Sequence, residues 1–297
     1  MTLQELLDRA QARLEAAGLV YGHGTTNARD EAAWLVLWSL GRPLDSDPDA
    51  VGADPVSEAQ CAEAERLVAR RIETRQPAAY LTREAWLQGV PFYVDERAIV
   101  PRSFIAELIA DGGFDAWLSG ETRRVLDLCT GNGSLAVLAA MAWPEVQVCG
   151  ADLSPDALAV ARINVERHDL KDRITLIESD GLAACPGPWD LVLCNPPYVN
   201  ADSMGLLPPE FRAEPALALA GGADGMDFVR ALLRDLPSRL SPQGVLVLEI
   251  GHERAHFEAA FPHLEVVWLS TSAGDDQVLL LTAEALNASA AGHPVFP

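Results

Sequence analysis

The chain is predicted to be an α/β protein whose main domain is built on a doubly wound, mostly parallel sheet of seven strands. Apolar segments of strand length alternate with helical patterns between residues 104 and 281, which is the order of a sheet with crossover helices. These segments are almost continuously apolar, as strands covered on both faces are. A chain of 297 residues is long for one average domain, so we also expect a smaller second domain.

Residues 1–78 are predicted to form this smaller domain, whose helices are recognised by spacing and capping. Leucine and alanine residues recur at helical spacing in the first helix, and a second helix is predicted over residues 30–40. A third is predicted over residues 57–74, where Ser57 and Gln60 form a capping-box pattern. The segment between the second and third helices is rich in proline and aspartate and is predicted to be a loop.

A β-hairpin is predicted to link the two domains over residues 79–100, because aromatic and β-branched residues flank a turn at Gln88-Gly89. The main domain is predicted to span residues 101–286. Its strands are expected at residues 124–129, 146–151, 174–178, 189–194, 244–250, 265–269 and 277–281, and its helices at residues 104–118, 134–142, 155–168 and 224–240. A short loop joins the last two strands, so we expect them to be antiparallel. Residues 287–297 are predicted to be a flexible tail.

The composition disfavours several classes of function. The formal net charge is −21, from 43 acidic and 22 basic residues. This charge is unfavourable for direct binding of nucleic acid, which needs a basic surface, and it favours a basic partner. No apolar run is long enough to cross a membrane. The N-terminus has no signal-peptide pattern, so a cytoplasmic location is expected.

No metal site or disulfide is predicted. The five cysteines are scattered without a C-x-x-C pair, as reduced thiols of a cytosolic protein are. His252 and His256 have the spacing of an i, i+4 pair on one helix, but no third ligand is evident beside them. We therefore expect an ordinary surface helix at that position.

The first candidate site is the glycine loop, residues 127–134, which follows the first strand of the sheet and opens a helix. Glycines allow the backbone to approach a ligand closely, and the helix N-terminus presents free N–H groups to an anion. The Gly131-x-Gly133-x-x-Ala136 spacing fits the dinucleotide fingerprint with a relaxed last position. The loop alone does not distinguish NAD from S-adenosylmethionine, and a purely structural tight turn is the remaining alternative.

Acidic residues follow the next two strands of the predicted sheet. Asp152 comes about 20 residues after Gly133, where an acceptor for ribose hydroxyl protons is expected in such sheets. A helix-capping role for Asp152 is less favoured, because Ser154 and Pro155 already supply a cap and a first-turn proline. Asp180 follows the third strand and is predicted to accept a hydrogen bond from an adenine amino group. A solvated loop aspartate is the alternative at that position.

The most specific feature is Asn195-Pro196-Pro197-Tyr198, directly after an apolar strand. The Asn195 side-chain oxygen and the Pro196 carbonyl would accept hydrogen bonds from a planar NH2 group. They would turn its lone pair towards a methyl donor and stabilise the positive charge that develops on nitrogen. The Tyr198 ring is expected to pack on the target group. This Asn-Pro-Pro-Tyr turn predicts methyl transfer to nitrogen and has no role in hydride transfer; a plain Pro-Pro turn is the structural alternative.

Together these residues resemble the class I, S-adenosylmethionine-dependent N(5)-glutamine methyltransferases, which have a Rossmann-like fold and a small N-terminal helical domain. The resemblance extends over residues 20–285. It implies S-adenosylmethionine as cofactor, with contacts to Asp127, Cys129, Thr130, Gly131, Asn132, Gly133, Asp152, Asp180 and Asn195. It also implies that Asn195, Pro196, Pro197 and Tyr198 bind the target glutamine, with Asn195, Pro196 and Tyr198 as the catalytic residues.

Two branches of this family differ in their acceptor: one methylates peptide chain release factors, the other the third large-subunit ribosomal protein. The chain is similar to the second branch at residues 21–27, 79–82, 92–97, 100–103 and 154–160. Cys129 stands where the release-factor branch has glycine. The resemblance thus implies a basic ribosomal protein as substrate. We expect that protein to be free or nascent, because a glutamine must enter a closed pocket, and to be selected by the N-terminal helices. Asn132 and Gly181 depart from the family pattern. Because the Asn132 side chain can point outwards, we expect cofactor binding to be retained.

Four alternatives remain at this point. The release-factor branch shares the chemistry and differs only in acceptor. An adenine-N6 nucleic-acid methyltransferase would also use an Asn-Pro-Pro-Tyr-type turn, but it predicts a basic cleft and a further recognition domain. A nicotinamide-dependent oxidoreductase explains the glycine loop and Asp152 but not the turn. A non-catalytic binding module on the same fold is the fourth, since fold does not fix function.

Overall fold

The secondary structure begins with helices only and then alternates between strands and helices; the computed structural model describes residues 1–292. The strands are β1 Ala85–Leu87, β2 Val90–Phe92, β3 Arg124–Leu128, β4 Gln147–Asp152, β5 Ile174–Glu178, β6 Trp189–Cys194, β7 Leu240–Glu249, β8 Val267–Thr271 and β9 Gly274–Thr282. The helices are α1 Leu3–Ala16, α2 Ala28–Ser39, α3 Pro48–Val51, α4 Glu58–Thr74, α5 Ala78–Thr82, α6 Ile105–Asp111, α7 Ser134–Ala142, α8 Pro155–Arg167, α9 Ala201–Leu206, α10 Pro209–Arg212, α11 Asp227–Asp235, α12 Arg254–Ala260 and α13 Ala283–Gly292.

Strands β3 to β9 form one sheet in the order β5-β4-β3-β6-β7-β9-β8. The pairs from β5 to β7 are parallel, and β9 is antiparallel to both β7 and β8. The predicted seven-stranded, mostly parallel, doubly wound sheet is confirmed. The chain runs outwards from β3 to β5 and then returns to β6 on the other side of β3. Strand order therefore reverses between β3 and β6, and ligands bind at the carboxyl ends of strands beside such a reversal.

Alternate residues of the central strands are buried on opposite faces of the sheet. Val125 and Leu193 belong to the apolar core that includes residues of α6, α7 and α8. Leu126 and Val192 belong to the core that includes residues of α11, α12 and α13. All four side chains are fully buried, and such burial stabilises a fold by about 1.5–3 kcal/mol for each side chain. The strands that carry the candidate site are thus held from both faces.

The N-terminal helices have an apolar core of their own, built from α1, α2, α4 and α5. Thr2 and Ser57 each cap a helix with a capping box, the second as predicted. The same core includes Val94 and Val100. It therefore continues past the hairpin of β1 and β2 into the segment that leads to the main domain.

Two helices are shorter than predicted, for reasons visible in the chain. The helix expected over residues 104–118 is α6, which ends where Gly112 adopts the left-handed conformation at φ 67°. The helix expected over residues 224–240 is α11, followed by a 3-10 turn at Leu236–Ser238. That turn contains a proline, which cannot continue a helical hydrogen-bond ladder.

The hairpin and the C-terminus also differ from the predictions. The hairpin occupies β1 and β2 only, because α5 takes the beginning of the predicted span. Residues 287–292, predicted as part of a flexible tail, continue α13, because the Thr282 hydroxyl accepts a hydrogen bond from the Ala285 N–H and Leu286 is buried. The rest of the predicted tail lies outside the described residues. Within residues 1–292, no helix has both the length and the apolar character needed to cross a membrane.

Candidate active site

A cavity of about 160 Å³ opens at the reversal of strand order, at the carboxyl ends of β3, β4 and β6. Leu128 pairs with Cys194 in the parallel register, so the residues that follow these two strands are neighbours. The predicted site residues that line the cavity are Cys129, Thr130, Gly131, Asn132, Asp152, Asp180, Asn195 and Pro197. Asp127, Gly133, Pro196 and Tyr198 are not part of its lining.

Asp127 shapes the glycine loop from beneath. One of its carboxylate oxygens accepts hydrogen bonds from the Thr130 hydroxyl and, at 2.9 Å, from the Ala136 N–H. The side chain is buried, and this burial raises the pKa of Asp127 to about 7. A contribution of Asp127 to ligand binding must therefore pass through the loop, and not through a direct contact.

The glycines of the loop are required by backbone conformation and by packing. Gly131 and Gly133 have φ angles of 55° and 81°. A Cβ atom on Gly133 would lie 3.1 Å from the Cβ and 3.2 Å from the Cα of Ala161, so the loop approaches α8 closely only without a side chain there. Cys129 also has a positive φ, 61°, although it carries a side chain. Such strained positions are common where a loop contacts a ligand.

Asn132 does not adopt the outward orientation that the sequence allowed, and Asn164 is a residue that sequence reasoning missed. The Asn132 side chain does not point outwards: it is only 3% exposed, and its oxygen accepts a hydrogen bond from the Ser134 N–H at 3.2 Å. Asn164 on α8 is fully buried. Its side-chain NH2 donates to the Asn132 carbonyl at 2.8 Å and to the Tyr93 carbonyl at 2.9 Å. Asn164 therefore ties the glycine loop to the segment after the hairpin.

Asp152 occupies the position expected for a ribose acceptor, and it is already oriented by backbone donors. Its two carboxylate oxygens accept hydrogen bonds from the Gly131 N–H and the Ser154 N–H, each at 2.9 Å. Burial raises its pKa, and these backbone N–H groups partly offset that effect. The cap of α8 is Ser154, whose hydroxyl accepts from the Ala157 N–H at 3.1 Å, as the sequence predicted.

Asp180 lines the cavity and follows β5. Its side chain is exposed. The turn that carries it is fixed by Ser179, whose hydroxyl donates to the Gly181 carbonyl at 2.8 Å and accepts from the Ala184 N–H at 3.0 Å. The exposed Asp180 carboxylate is thus available to accept a hydrogen bond from the exocyclic amino group of an adenine.

The Asn-Pro-Pro-Tyr turn brings Asn195 to the cavity wall beside Cys129, because β3 and β6 end in register. The backbone after the turn is fixed by two hydrogen bonds of 2.8 Å, from the Val199 N–H to the Leu219 carbonyl and from the Gly221 N–H to the Val199 carbonyl. Asn195 thus lies between the end of β6 and a segment that backbone hydrogen bonds hold in place.

Tyr198 ends the Asn-Pro-Pro-Tyr turn and is not part of the cavity lining. Its ring packs over Gly251, just beyond β7: a Cβ atom on Gly251 would stand 2.5 Å from Cε2 of Tyr198. Burial raises the pKa of Tyr198, and the neighbouring Glu249 raises it further. The Tyr198 side chain is half-buried and its contact with Gly251 fixes its position; the packing of this ring on the target group stays a prediction.

Glu249 is a second residue that the sequence analysis missed. It is 2% exposed at the end of β7, and one of its oxygens accepts hydrogen bonds from the Ser103 hydroxyl at 2.6 Å and the Phe104 N–H at 2.9 Å. Burial raises the pKa of Glu249 to about 7. Ser103 lines the cavity, so Glu249 supports that part of the cavity wall. An acidic residue inside an otherwise apolar strand was the available signal.

The histidines and cysteines within residues 1–292 form no metal site. His252 precedes α12 and only His256 lies within it, so the predicted single-helix pair is wrong. Among the described residues, no group of three histidine, cysteine or acidic side chains is arranged to hold a metal. All five cysteines are free. The pKa of Cys129 is raised by its neighbour Cys194 and by burial, which keeps it a thiol and not a nucleophilic thiolate.

Comparison with known proteins agrees with this geometry. The methyltransferase small domain family matches residues 114–207. The ribosomal protein uL3 glutamine methyltransferase of Bordetella pertussis is 54% identical, over 96% of this chain and 96% of that protein. Its namesake in Neisseria meningitidis serogroup B is 47% identical, over 96% of this chain and 94% of that protein.

The chain belongs to the ribosomal protein uL3 glutamine methyltransferase family. Membership confirms the predicted resemblance, including its ribosomal-protein branch, and makes the chain a methyltransferase. Among solved structures, the hMettl16 catalytic domain in complex with a MAT2A 3′UTR hairpin aligns with a TM-score of 0.50 and 14% identity, over 76% of this chain and 81% of that one. That likeness concerns the fold alone.

Proposed function

We propose that the protein transfers a methyl group from S-adenosylmethionine to the side-chain amide nitrogen (N5) of a glutamine in ribosomal protein uL3. The observation that carries this proposal is the near full-length identity to relatives that bear this name. The position of Asn195 on the cavity wall, next to the glycine loop, supports the reaction type.

The cavity has groups that suit each part of S-adenosylmethionine, which when bound supplies an electrophilic methyl group on a sulfonium. The half-buried Asp152 carboxylate would accept both ribose hydroxyl protons, since backbone N–H groups already fix its direction. Asp180 at the rim would accept from the adenine amino group. The backbone of residues 129–133 would approach the remainder closely, because two glycines keep that surface free of side chains.

Asn195 and Pro196 would hold the acceptor amide. The Asn195 side-chain oxygen and the Pro196 carbonyl would each accept one hydrogen bond from the glutamine NH2. This arrangement draws electron density towards nitrogen, orients its lone pair, and stabilises charge as the new bond forms. Pro197 contributes to the wall beside Asn195. Tyr198 supports the turn from behind through its contact with Gly251.

The substrate would be free or nascent uL3, not the protein assembled in a ribosome, because a glutamine side chain must enter a narrow cavity. A basic ribosomal protein suits a chain of net charge −21. The same charge is unfavourable for direct nucleic-acid binding. We further propose that residues 1–78 select the substrate, that residues 79–100 link them to the catalytic domain of residues 101–286, and that the reaction takes place in the cytoplasm.

The deciding experiment offers labelled methyl donor to the purified enzyme with uL3 and, separately, with a peptide chain release factor. We expect label on a glutamine of uL3, located by mass spectrometry of the digested protein. Methylation of the release factor alone would assign the chain to the other acceptor, and label in neither protein would contradict both assignments.

A further inference from the structure

Two buried glutamates follow the Asn-Pro-Pro-Tyr turn, and the proposed reaction uses neither. Glu210 lies in α10, and Glu214 comes four residues later, beyond the end of that helix; their exposed fractions are 0% and 4%. A buried carboxylate is unfavourable unless it is paired and hydrogen-bonded. The contacts of the two residues show what each of them holds in place.

Glu214 connects three separate parts of the chain. Its two oxygens accept hydrogen bonds from the Arg102 guanidinium at 2.6 and 2.7 Å, the two-pronged arrangement that fixes both position and direction. The first oxygen also accepts from the Val100 N–H at 2.9 Å, and Nε2 of His23 lies 3.3 Å from the second. Burial alone would raise the pKa of Glu214, but Arg102 and His23 lower it to about 2.

Arg102 connects Glu214 to the cavity. It lines the wall together with Pro215, the residue directly after Glu214. Arg102 also lies near the Tyr198 side chain, and its positive charge partly offsets the rise in the pKa of Tyr198 that burial causes. The Arg102–Glu214 pair therefore lies at the end of the cavity formed by the Asn-Pro-Pro-Tyr turn, where the acceptor amide would enter.

Glu210 is also a buried glutamate close to arginine side chains, but neither of these arginines lines the cavity. Arg75 Nε lies 3.2 Å and Arg71 Nη1 lies 3.8 Å from its first oxygen, which also accepts from the Val20 N–H at 3.2 Å. None of these three residues lines the cavity. Glu210 thus fastens the segment after the turn to the N-terminal helices and to nothing else in the site.

We propose that Glu214 is a positioning residue for the acceptor end of the cavity and that it acts through Arg102. It fixes the guanidinium against the wall and neutralises its charge. Without this partner, an unpaired cation would face an incoming basic protein, and the long side chain could move into the entrance. The inference rests on the proposed function in one respect: the acceptor is a protein side chain and not a small molecule.

The test compares Glu214→Gln with the matched variant Glu210→Gln in the full-length enzyme. Both changes remove one buried charge at nearly the same depth in the same segment. We expect Glu214→Gln to lower kcat/KM for the protein acceptor by about 10- to 100-fold, the range for losing a charged hydrogen bond. The Kd of S-adenosylmethionine, measured by calorimetry, should change less than about twofold because the donor end of the cavity is untouched. Glu210→Gln should also lower the Tm, because it too alters a buried ion pair, but it should leave kcat/KM within about threefold.

Arg102→Lys provides an independent route to the same result if Glu214→Gln folds poorly. Lysine keeps the charge but loses the two-pronged contact, so the same fall in kcat/KM is expected. Because the two residues act as a unit, the double variant should be no slower than the slower single variant. Additive losses, equal losses of turnover in Glu214→Gln and Glu210→Gln, or weakening of donor binding in parallel with turnover would each overturn the proposal.

The assay on the wild-type enzyme separates this inference from the proposed function. Transfer of label to the release factor instead of uL3 would overturn the proposed acceptor. The variants would then be compared on the release factor, and the difference between Glu214→Gln and Glu210→Gln would decide the role of Glu214 on that acceptor.

Discussion

Replacing Gly251 by alanine tests how the Asn-Pro-Pro-Tyr turn is held in place. The new Cβ would lie 2.5 Å from Cε2 and 2.9 Å from Cζ of Tyr198, at a backbone φ of 54°. Left-handed backbone costs an alanine about 1–2 kcal/mol, and forcing a methyl group into a packed site costs about 1–3 kcal/mol more. We therefore expect Gly251→Ala to lower the free energy of unfolding by about 2–5 kcal/mol.

Urea unfolding of Gly251→Ala, Tyr198→Ala and the double variant separates the two contributions. Once the ring is removed, only the backbone cost of alanine remains, so the cycle should show a coupling of about 1–3 kcal/mol between the two positions. Gly41→Ala is the control for the backbone alone, because Gly41 has φ 64° and nothing within 4 Å of its Cβ position. If alanine at position 251 destabilises the enzyme equally with and without the ring, the argument that this glycine accommodates Tyr198 is refuted.

Three further predictions concern the cavity. Asn195→Ala should lower kcat by about 100-fold or more while the Kd of S-adenosylmethionine, measured by calorimetry, stays within about threefold. If donor affinity and kcat fall by the same factor, the assignment of Asn195 to the acceptor amide is contradicted. Asp152→Ala should act in the opposite order, weakening donor binding by about 10- to 100-fold in the same titration, and unchanged binding would remove the ribose role. Glu249→Gln should remove a pH dependence: the pKa of Glu249 in the folded state, about 7, lies above its ordinary value of 4.5, so the folded protein keeps a proton that the unfolded chain releases. Relative to this variant, the wild type should lose up to about 3 kcal/mol of its free energy of unfolding as the pH rises from 4.5 to 7. If the free energies of unfolding of the two proteins change equally with pH across that range, Glu249 does not titrate in this way.

The sequence was sufficient to predict the sheet, because its strands are apolar runs bounded by turns and helices. It also placed the cavity residues correctly where position follows from strand ends: Cys129, Asp152, Asp180 and Asn195 each lie at or after the carboxyl end of a parallel strand. Parallel strands bring such residues to one edge, whatever the rest of the chain does. These predictions needed only local pattern and one topological rule.

Side-chain directions at the same site could not be predicted in this way. The orientation of Tyr198 depends on Gly251, which is distant in sequence and is recognised only by its φ and its contact with the ring. Asn132 turns inwards because the Ser134 N–H offers it a partner. Arg102 and Glu214 lie far apart in the sequence, and neither interrupts a helical or strand pattern. Pairing over such distances leaves no periodic signal in a single sequence.

The return of the chain to the other side of β3 has a consequence for how such an enzyme can change. Apart from Asn195, the residues proposed to bind the methyl donor lie in β3 to β5 and the loops after them, which precede β6 in the sequence. What is proposed to recognise the acceptor comes from β6 onwards and from the chain ahead of β3. Mutation and recombination can therefore exchange one set of residues with little effect on the other. A scaffold divided in this way can acquire a new protein target while its methyl donor stays the same.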